Sequence, residues 1–278
     1  MISSNQCSTS MLARALRRKR VLFLFALLAA LVTVIGCLTI IKPKPKTVSF
    51  SGWVVRETGH PISEARVSVN KLTAMTQKDG HFKLAVPKAE SYILGISHPN
   101  FADLFHTTRA GLNGQVWTLT GARVSEVDPR TSITLVDDRP ELVSKQMEGA
   151  VLTLPPNALV DSQGNPPSGL VRAAIATLDL TKGEGPTDWG VRADDGRDGF
   201  LVSYGAVFIQ FTDPTRTTPY QLRSGMSGQL SLPVLPSMQA HVNEAPQPPF
   251  WYFDDTDGYW HKADSLCQVK RSFLEIFL

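Results

Sequence analysis

The chain has 278 residues and a formal net charge of +3, but eight of its 28 basic residues and none of its 25 acidic ones lie in residues 1–46. The rest carries 20 basic and 25 acidic residues, a net of −5, and gives no argument for a nucleic-acid partner. Of the three cysteines, Cys7 and Cys37 lie in residues 1–46 and Cys267 is alone in the rest, so no intrachain disulfide can staple that part and a hydrophobic core has to hold it.

Val21–Ile41, VLFLFALLAALVTVIGCLTII, runs 21 residues without a charge or a proline. As a helix it is about 31 Å long, close to the hydrocarbon thickness of a bilayer. Arg14, Arg17, Arg18, Lys19 and Arg20 precede it in the basic segment 1–20. The positive-inside rule therefore predicts a single-pass transmembrane helix with its N-terminus in the cytoplasm. Two fates stay open for this span. It is either an uncleaved signal anchor or a lipoprotein signal, because Val34-Ile35-Gly36-Cys37 resembles a lipobox with Cys37 as the lipid-attachment residue. The apolar Leu38–Ile41 after Cys37 favours the anchor, whereas a start at Met11 would give the conventional short n-region. None of the seven Asn residues begins an Asn-x-Ser/Thr sequon, which fits a bacterial inner membrane with the C-terminal part facing the periplasm. Residues 42–46, KPKPK, form a stiff extended spacer.

From 47 to 127 the chain reads as short strands divided by turn residues. The predicted strands are Val48–Val55, Ala65–Val69, Phe82–Val86, Tyr92–Ile96 and Val116–Leu119, with Asp79-Gly80 as a hairpin turn. A spacing of roughly ten residues predicts a β-sandwich. A second unit, 128–266, has its entry marked by Asp128-Pro129-Arg130 and by the charged Asp137-Asp138-Arg139-Pro140 stretch. Its predicted strands are 149–155, 170–178, 207–211 and 229–234, with a hairpin of Phe250–Phe253 against Tyr259–His261. No helix of about ten residues is expected outside the membrane span. The fold class is therefore all-β: two β-sandwich domains preceded by one N-terminal transmembrane helix.

Two residue orders carry resemblances. Gly52, Val54, Gly59, Pro61, Ile62, Ala65, Val67 and Val69, then Thr76, Asp79, Gly80, Phe82, Leu84, Val86 and Pro87, resemble the carboxypeptidase regulatory-like domain. That resemblance implies a transthyretin-like, seven-stranded, non-catalytic sandwich. The order G-A-x-L-x-L-P-P-N-A-L from Gly149, Y-G-A-V-x-I-x-F from Tyr204, L-x-L-P-V from Leu230 and P-P-F-W-Y-F-D from Pro248 is similar to the sandwich of the cartilage intermediate layer proteins and the astroprincin family. Its first part also resembles the ZU5 module. These resemblances imply surface or matrix interaction and bring no catalytic motif. Residues 267–278, CQVKRSFLEIFL, depart from that pattern and are expected to be a truncated or frame-shifted tail that leaves a sheet edge open.

No HExxH, G-x-S-x-G, phosphate loop or dinucleotide fingerprint occurs, so the chain reads as a non-enzyme without a cofactor. The acidic loop at 188–198 offers Asp194, Asp195 and Asp198 as carboxylates for a metal. Gly196 interrupts the ligand spacing and Arg192 and Arg197 neutralise the charge, so none is expected. Asp254, Asp255 and Asp257 are accounted for by the hairpin turn. Alternation in the aromatic hairpin sends some rings into the core and leaves others able to stack on a ligand, which makes Trp251, Tyr252, Tyr259 and Trp260 the candidate binding residues. The expected function is a membrane-anchored, extracytoplasmic structural, adhesive or ligand-presenting role toward a protein or polysaccharide. The alternative is a carbohydrate-binding accessory module of a cell-envelope enzyme system.

Overall fold

Thr47–Arg56 (β1) shows how the pattern becomes a core: Phe50, Gly52 and Val54 are buried and their neighbours face out. The computed structural model describes residues 46–145, 147–179, 182–185, 190–192, 198–201, 203–235, 238–241, 248–263, 266–270 and 273–277. The predicted membrane span Val21–Ile41, with Cys37, lies outside the described residues. Among those that are described, no helix is long and apolar enough to cross a membrane.

β1 pairs antiparallel with His81–Pro87 (β4) and parallel with Gln115–Leu119 (β7). A facing sheet runs in the order Leu72–Met75 (β3), Arg66–Val69 (β2), Tyr92–Ser97 (β5) and Leu104–Thr108 (β6). Phe50, Phe82, Tyr92, Leu94 and Trp117 fill the space between them, Phe50 meeting Tyr92 edge to face at 5.2 Å. The turn before β4 needs Gly80: its φ is +76°, and a Cβ there would stand 2.5 Å from the Val54 carbonyl oxygen. Nearby, the buried Thr76 hydroxyl donates to the Ile62 carbonyl and accepts from the Ala65 amide, which fixes the loop between β1 and β2.

A second sandwich follows. One sheet has the order Leu266–Lys270 (β20), Phe273–Phe277 (β21), Gln229–Pro233 (β17), Val151–Leu154 (β10) and Ile133–Val136 (β9). The other has Leu159–Val160 (β11), Pro219–Leu222 (β16), Ala206–Thr212 (β15), Val171–Leu178 (β12) and Arg123–Val127 (β8). Leu135, Leu152, Ile175, Phe211, Leu230 and Leu232 belong to its core. The tail, read from sequence as lying beyond this sandwich, runs as the two strands β20 and β21, and β21 pairs with β17 over five residues.

All eight residues of β12 are buried, because both of its faces are covered. One face meets the sandwich core. On the other, Ala176, Leu178 and Ala206 pack with Ala102, which lies in the loop between β5 and β6 of the first sandwich. The same loop makes polar contacts to this sheet: Arg172 donates to the Pro99 carbonyl, and Gln210 Nε2 donates to Asp103 Oδ2 at 3.0 Å. A third, smaller sheet has the order Asp198–Phe200 (β14), Gly190–Arg192 (β13), Tyr259–Lys262 (β19) and Trp251–Asp254 (β18). The longest described α-helix is the single turn Pro140–Ser144.

Candidate functional site

The predicted aromatic hairpin is β18 and β19, paired from Trp251 with Lys262 to Asp254 with Tyr259. Directly opposed residues share a face, so Trp251, Phe253 and Trp260 lie on one side. Tyr252, Asp254, Tyr259 and His261 lie on the other. Phe253 stacks on Phe105 of β6 with ring centroids 5.3 Å apart and meets Trp260 edge to face at 5.6 Å. At the hairpin tip, Thr107 Oγ1 donates to the Gly258 carbonyl at 3.2 Å. The hairpin is thus clamped onto the first sandwich.

This clamp closes one side of a cavity of about 530 Å³. Its walls include Leu152 and Leu232 from one sheet, Val207 and Ile209 from the facing sheet, and Phe250 before β18. The volume falls within the 300–1,000 Å³ typical of small-molecule sites. Of the four candidate residues named from sequence, Trp251, Tyr252 and Trp260 line the cavity, and Tyr259 is not among its described lining residues. Trp260 is only 8% exposed, whereas Tyr252 is 49% exposed and stacks on His261 at 5.7 Å.

The sequence offered no sign of Asp103, which lines the same cavity. Its Oδ1 is closed off from solvent and has no hydrogen-bond partner among the described residues. Burial pushes the carboxyl up to about 6, against the opposing pull of Arg216 and the Gln210 hydrogen bond. Two other polar groups of the wall are occupied: Ser203 Oγ donates to the Gly205 carbonyl, and Tyr204 donates to the His241 carbonyl.

Asp254, Asp257 and His261 bring one ligand atom each within 4.8 Å of one another, a set able to hold a cation. Two of the aspartates singled out in the sequence take part, and His261 stands in place of Asp255. Each group also has a turn to hold. Asp254 Oδ1 accepts from the Thr256 amide at 2.8 Å and from its hydroxyl at 2.6 Å, and Asp257 Oδ1 accepts from the Tyr259 amide at 3.0 Å. His261 Nε2 lies 2.9 Å from Asp257 Oδ2. The Thr256 bonds hold the Asp254 carboxyl below the usual carboxylate range. In the other acidic loop, Asp194 and Asp195 lie outside the described residues, and the Asp198 backbone begins β14 opposite Arg192.

Two buried charge clusters were also hidden in the sequence. Arg139 Nε donates to Asp137 Oδ1 at 2.7 Å, Arg139 also donates to the Gly121 and Thr177 carbonyls, and Asp137 Oδ2 accepts from the Thr177 amide. Lys145 Nζ donates to Glu57 Oε1 at 2.8 Å and to Glu184 Oε1 at 2.6 Å, bridging the first sandwich to the loop after β12. A second cavity, of about 550 Å³, lies beside these clusters. Of its lining cations, Arg123 and Arg139 are paired with Asp138 and Asp137, and Arg56 lies over the Phe101 ring, 5.9 Å from its centroid.

No family model matches the sequence, and no curated protein does. Among solved structures, a DUF3823 family protein from Parabacteroides merdae is similar at 8% identity and a TM-score of 0.23, covering 68% of this chain and 91% of that one. The shaft pilin spaA of Lactobacillus rhamnosus GG is similar at 11% identity and a TM-score of 0.21, covering 69% of this chain and 89% of the pilin. BcpA, the major pilin subunit of Bacillus cereus, gives 9% identity and a TM-score of 0.21, covering 84% and 95%. Similarity of this degree specifies neither ancestry nor function.

Proposed function

We propose that this chain is a non-catalytic, membrane-anchored protein whose β-sandwiches stand outside the cytoplasm and hold a ligand or partner close to the membrane. The observation that carries the reading is the apolar cavity walled by both sheets of the second sandwich and by a hairpin clamped to the first. A rigid, preformed apolar seat binds by exclusion of water and shape, which suits holding and presenting. The span Val21–Ile41 and its basic flank supply the anchor, with the bacterial inner membrane as the site and the periplasm as the compartment. The carboxypeptidase regulatory-like assignment is part of the proposal. In its favour, Val54, Ile62, Ala65, Val67, Phe82 and Val86 of that residue pattern are all buried in one core.

Cell fractionation with external protease decides the reading. The full chain is expected in the membrane fraction, with residues from 47 onward cut only after the outer barrier is opened. A chain recovered in the cytosolic fraction overturns it. The mass of the mature protein separates an intact N-terminus from one cleaved before a lipid-bearing Cys37.

A second reading keeps the carbohydrate alternative, on the specific ground that the Tyr252 ring is exposed beside His261. Retention of the chain on envelope polysaccharide that is abolished by Tyr252→Ala would establish it. Unchanged retention would remove it.

A further inference from the structure

We infer that a small cavity between the β1–β2 loop and the β5–β6 loop of the first sandwich seats a monocarboxylate, its two oxygens taken by the Arg56 guanidinium and its body laid against Pro61 and Phe101. This seat is separate from the apolar cavity behind the hairpin and does not depend on it. It measures about 240 Å³, just below the 300–1,000 Å³ typical of small-molecule sites. Its occupant is therefore small.

Two hydrogen-bonded turns form the walls. Arg56 ends β1; its amide donates to the His60 carbonyl at 2.9 Å, and the Gly59 amide donates back to the Arg56 carbonyl at 2.8 Å. A bridge between Val55 and Pro61 then brings the chain back beside the end of β1. On the other wall the Phe101 amide donates to the His98 carbonyl at 3.2 Å, and the Asn100 amide donates to His98 Nδ1 at 3.2 Å. The His98 and Phe101 rings meet edge to face at 5.1 Å. Both walls are thus held without a ligand, as a preformed seat requires.

Charge sets the class of ligand. The contact with the Phe101 ring engages the Arg56 guanidinium by its charge alone, and none of its side-chain N–H groups has an acceptor among the described residues. Arg56 lines both this cavity and the larger one beside the charge clusters, where Arg123 and Arg139 already hold carboxylates. No Asp or Glu is among the described lining residues of the smaller cavity. His98 adds no charge there at neutral pH, because burial first, then Arg216, Arg56 and Arg172, hold it below its usual value against the pull of Glu64. The wall therefore carries one positive charge, on a planar fork whose N–H groups match the two oxygens of a carboxylate. A phosphate group carries more negative charge at neutral pH than this single cation balances.

Benzoate and benzamide are matched probes that share a ring and differ in charge. The full chain in nanodiscs of neutral lipid is titrated with each at neutral pH by ligand-observed NMR, with empty nanodiscs as the reference. Benzoate is expected to bind with a Kd below about 10 mM, a modest affinity for its size. It should bind at least about tenfold more tightly than benzamide, the ratio a charge-assisted pair supports. Arg56→Met keeps an apolar stem over Phe101 and should bring the two probes within about twofold of each other by weakening benzoate alone. Arg56→Lys keeps the charge without the fork and should lose at least about threefold of the preference. Arg66→Met, which removes an exposed cation of β2 outside the cavity, should leave the preference unchanged. Inorganic phosphate should displace benzoate only at concentrations at least about tenfold above the benzoate Kd.

No benzoate binding below about 10 mM, or benzamide binding as tightly as benzoate, would overturn the inference. So would a preference that survives Arg56→Met, or one that is lost in Arg66→Met. A full preference in Arg56→Lys, or phosphate displacing benzoate near the benzoate Kd, would overturn the fork-to-carboxylate match. Should Arg56→Met not fold, the probe pair, the phosphate competition and Arg56→Lys still decide.

Discussion

Asp103 and Lys145 show how single residues set the terms of this structure. The Asp103 carboxyl is raised from 3.8 to about 6, chiefly by burial, so the folded state holds its proton more tightly than the unfolded chain does. Between about pH 4 and pH 6 the folded state binds more protons, and stability from this group falls as pH rises through that window. Above it the cost of the buried charge is constant, at roughly 3 kcal/mol at most. Asp103→Asn removes the charge and keeps the shape. In urea denaturation it should stabilise the fold by about 1–2 kcal/mol at roughly pH 8 and flatten the dependence between about pH 4 and 6. Lys145 has the opposite logic. Burial alone would lower its pKa, and its bonds to Glu184 and Glu57 more than offset that and hold it raised. Lys145→Met should cost about 3–5 kcal/mol, because the nearly buried Glu184 loses its counter-charge. Restoring part of that loss with Glu184→Gln would show that the unpaired charge, and not lost packing, is responsible. Neither residue was legible in the sequence. Lys145 and Glu57 are separated by 88 positions, and the Asp137–Arg139 pair reads as a solvated charge run until Thr177 and Gly121 close around it.

At the scale of elements, the sequence reveals those whose pattern is strictly local. Alternation located β1, β4 and β7 to within one or two residues, because one face of each is buried and the other is not, and β5 showed as a denser apolar run. It missed β3, whose four residues are exposed or half-buried, and β6, where only Leu104 is buried. The Asp254–Gly258 turn and its two aromatic strands were equally legible, but where the hairpin docks was not. That depends on Phe105 and Thr107, in a strand about 150 residues away. Gly258 is the residue on which docking turns. Its φ is +77°, and a Cβ there would stand 2.4 Å from Thr107 Oγ1 and 3.2 Å from an Ile93 side-chain carbon. Gly258→Ala should therefore cost about 1–3 kcal/mol. It should also accelerate amide exchange across Trp251–Lys262 more than in β10 or β12. Uniform exchange across the chain would mean that the hairpin holds its place without the tip contact.

Across the whole molecule, the question is whether the two sandwiches behave as one body. Domains within a chain ordinarily move against each other unless their interface is extensive and well packed. Here Thr47–Leu278 forms a single compact unit, and its halves are joined by contacts of three kinds. Ala102 packs against Ala176, Leu178 and Ala206. Gln210 bonds Asp103, and Lys145 bridges Glu57 and Glu184. Phe253 stacks on Phe105. Breaking this interface with both halves still folded would expose the second face of β12, take Glu57 away from Lys145 and leave the hairpin without its support. Each of these is costly, so a state with one sandwich unfolded and the other intact should be scarcely populated. Tryptophans sit on both sides to report it: Trp117 in the first core and Trp260 in the hairpin, each 8% exposed. In two variants, one retaining only Trp117 and one only Trp260, thermal unfolding followed by fluorescence should give midpoints that agree within about 2 °C. Lys145→Met should lower both midpoints together. Two separated midpoints, or a Lys145→Met effect confined to one probe, would show independent domains. The cavity behind the hairpin would then lose the fixed wall that a preformed seat requires.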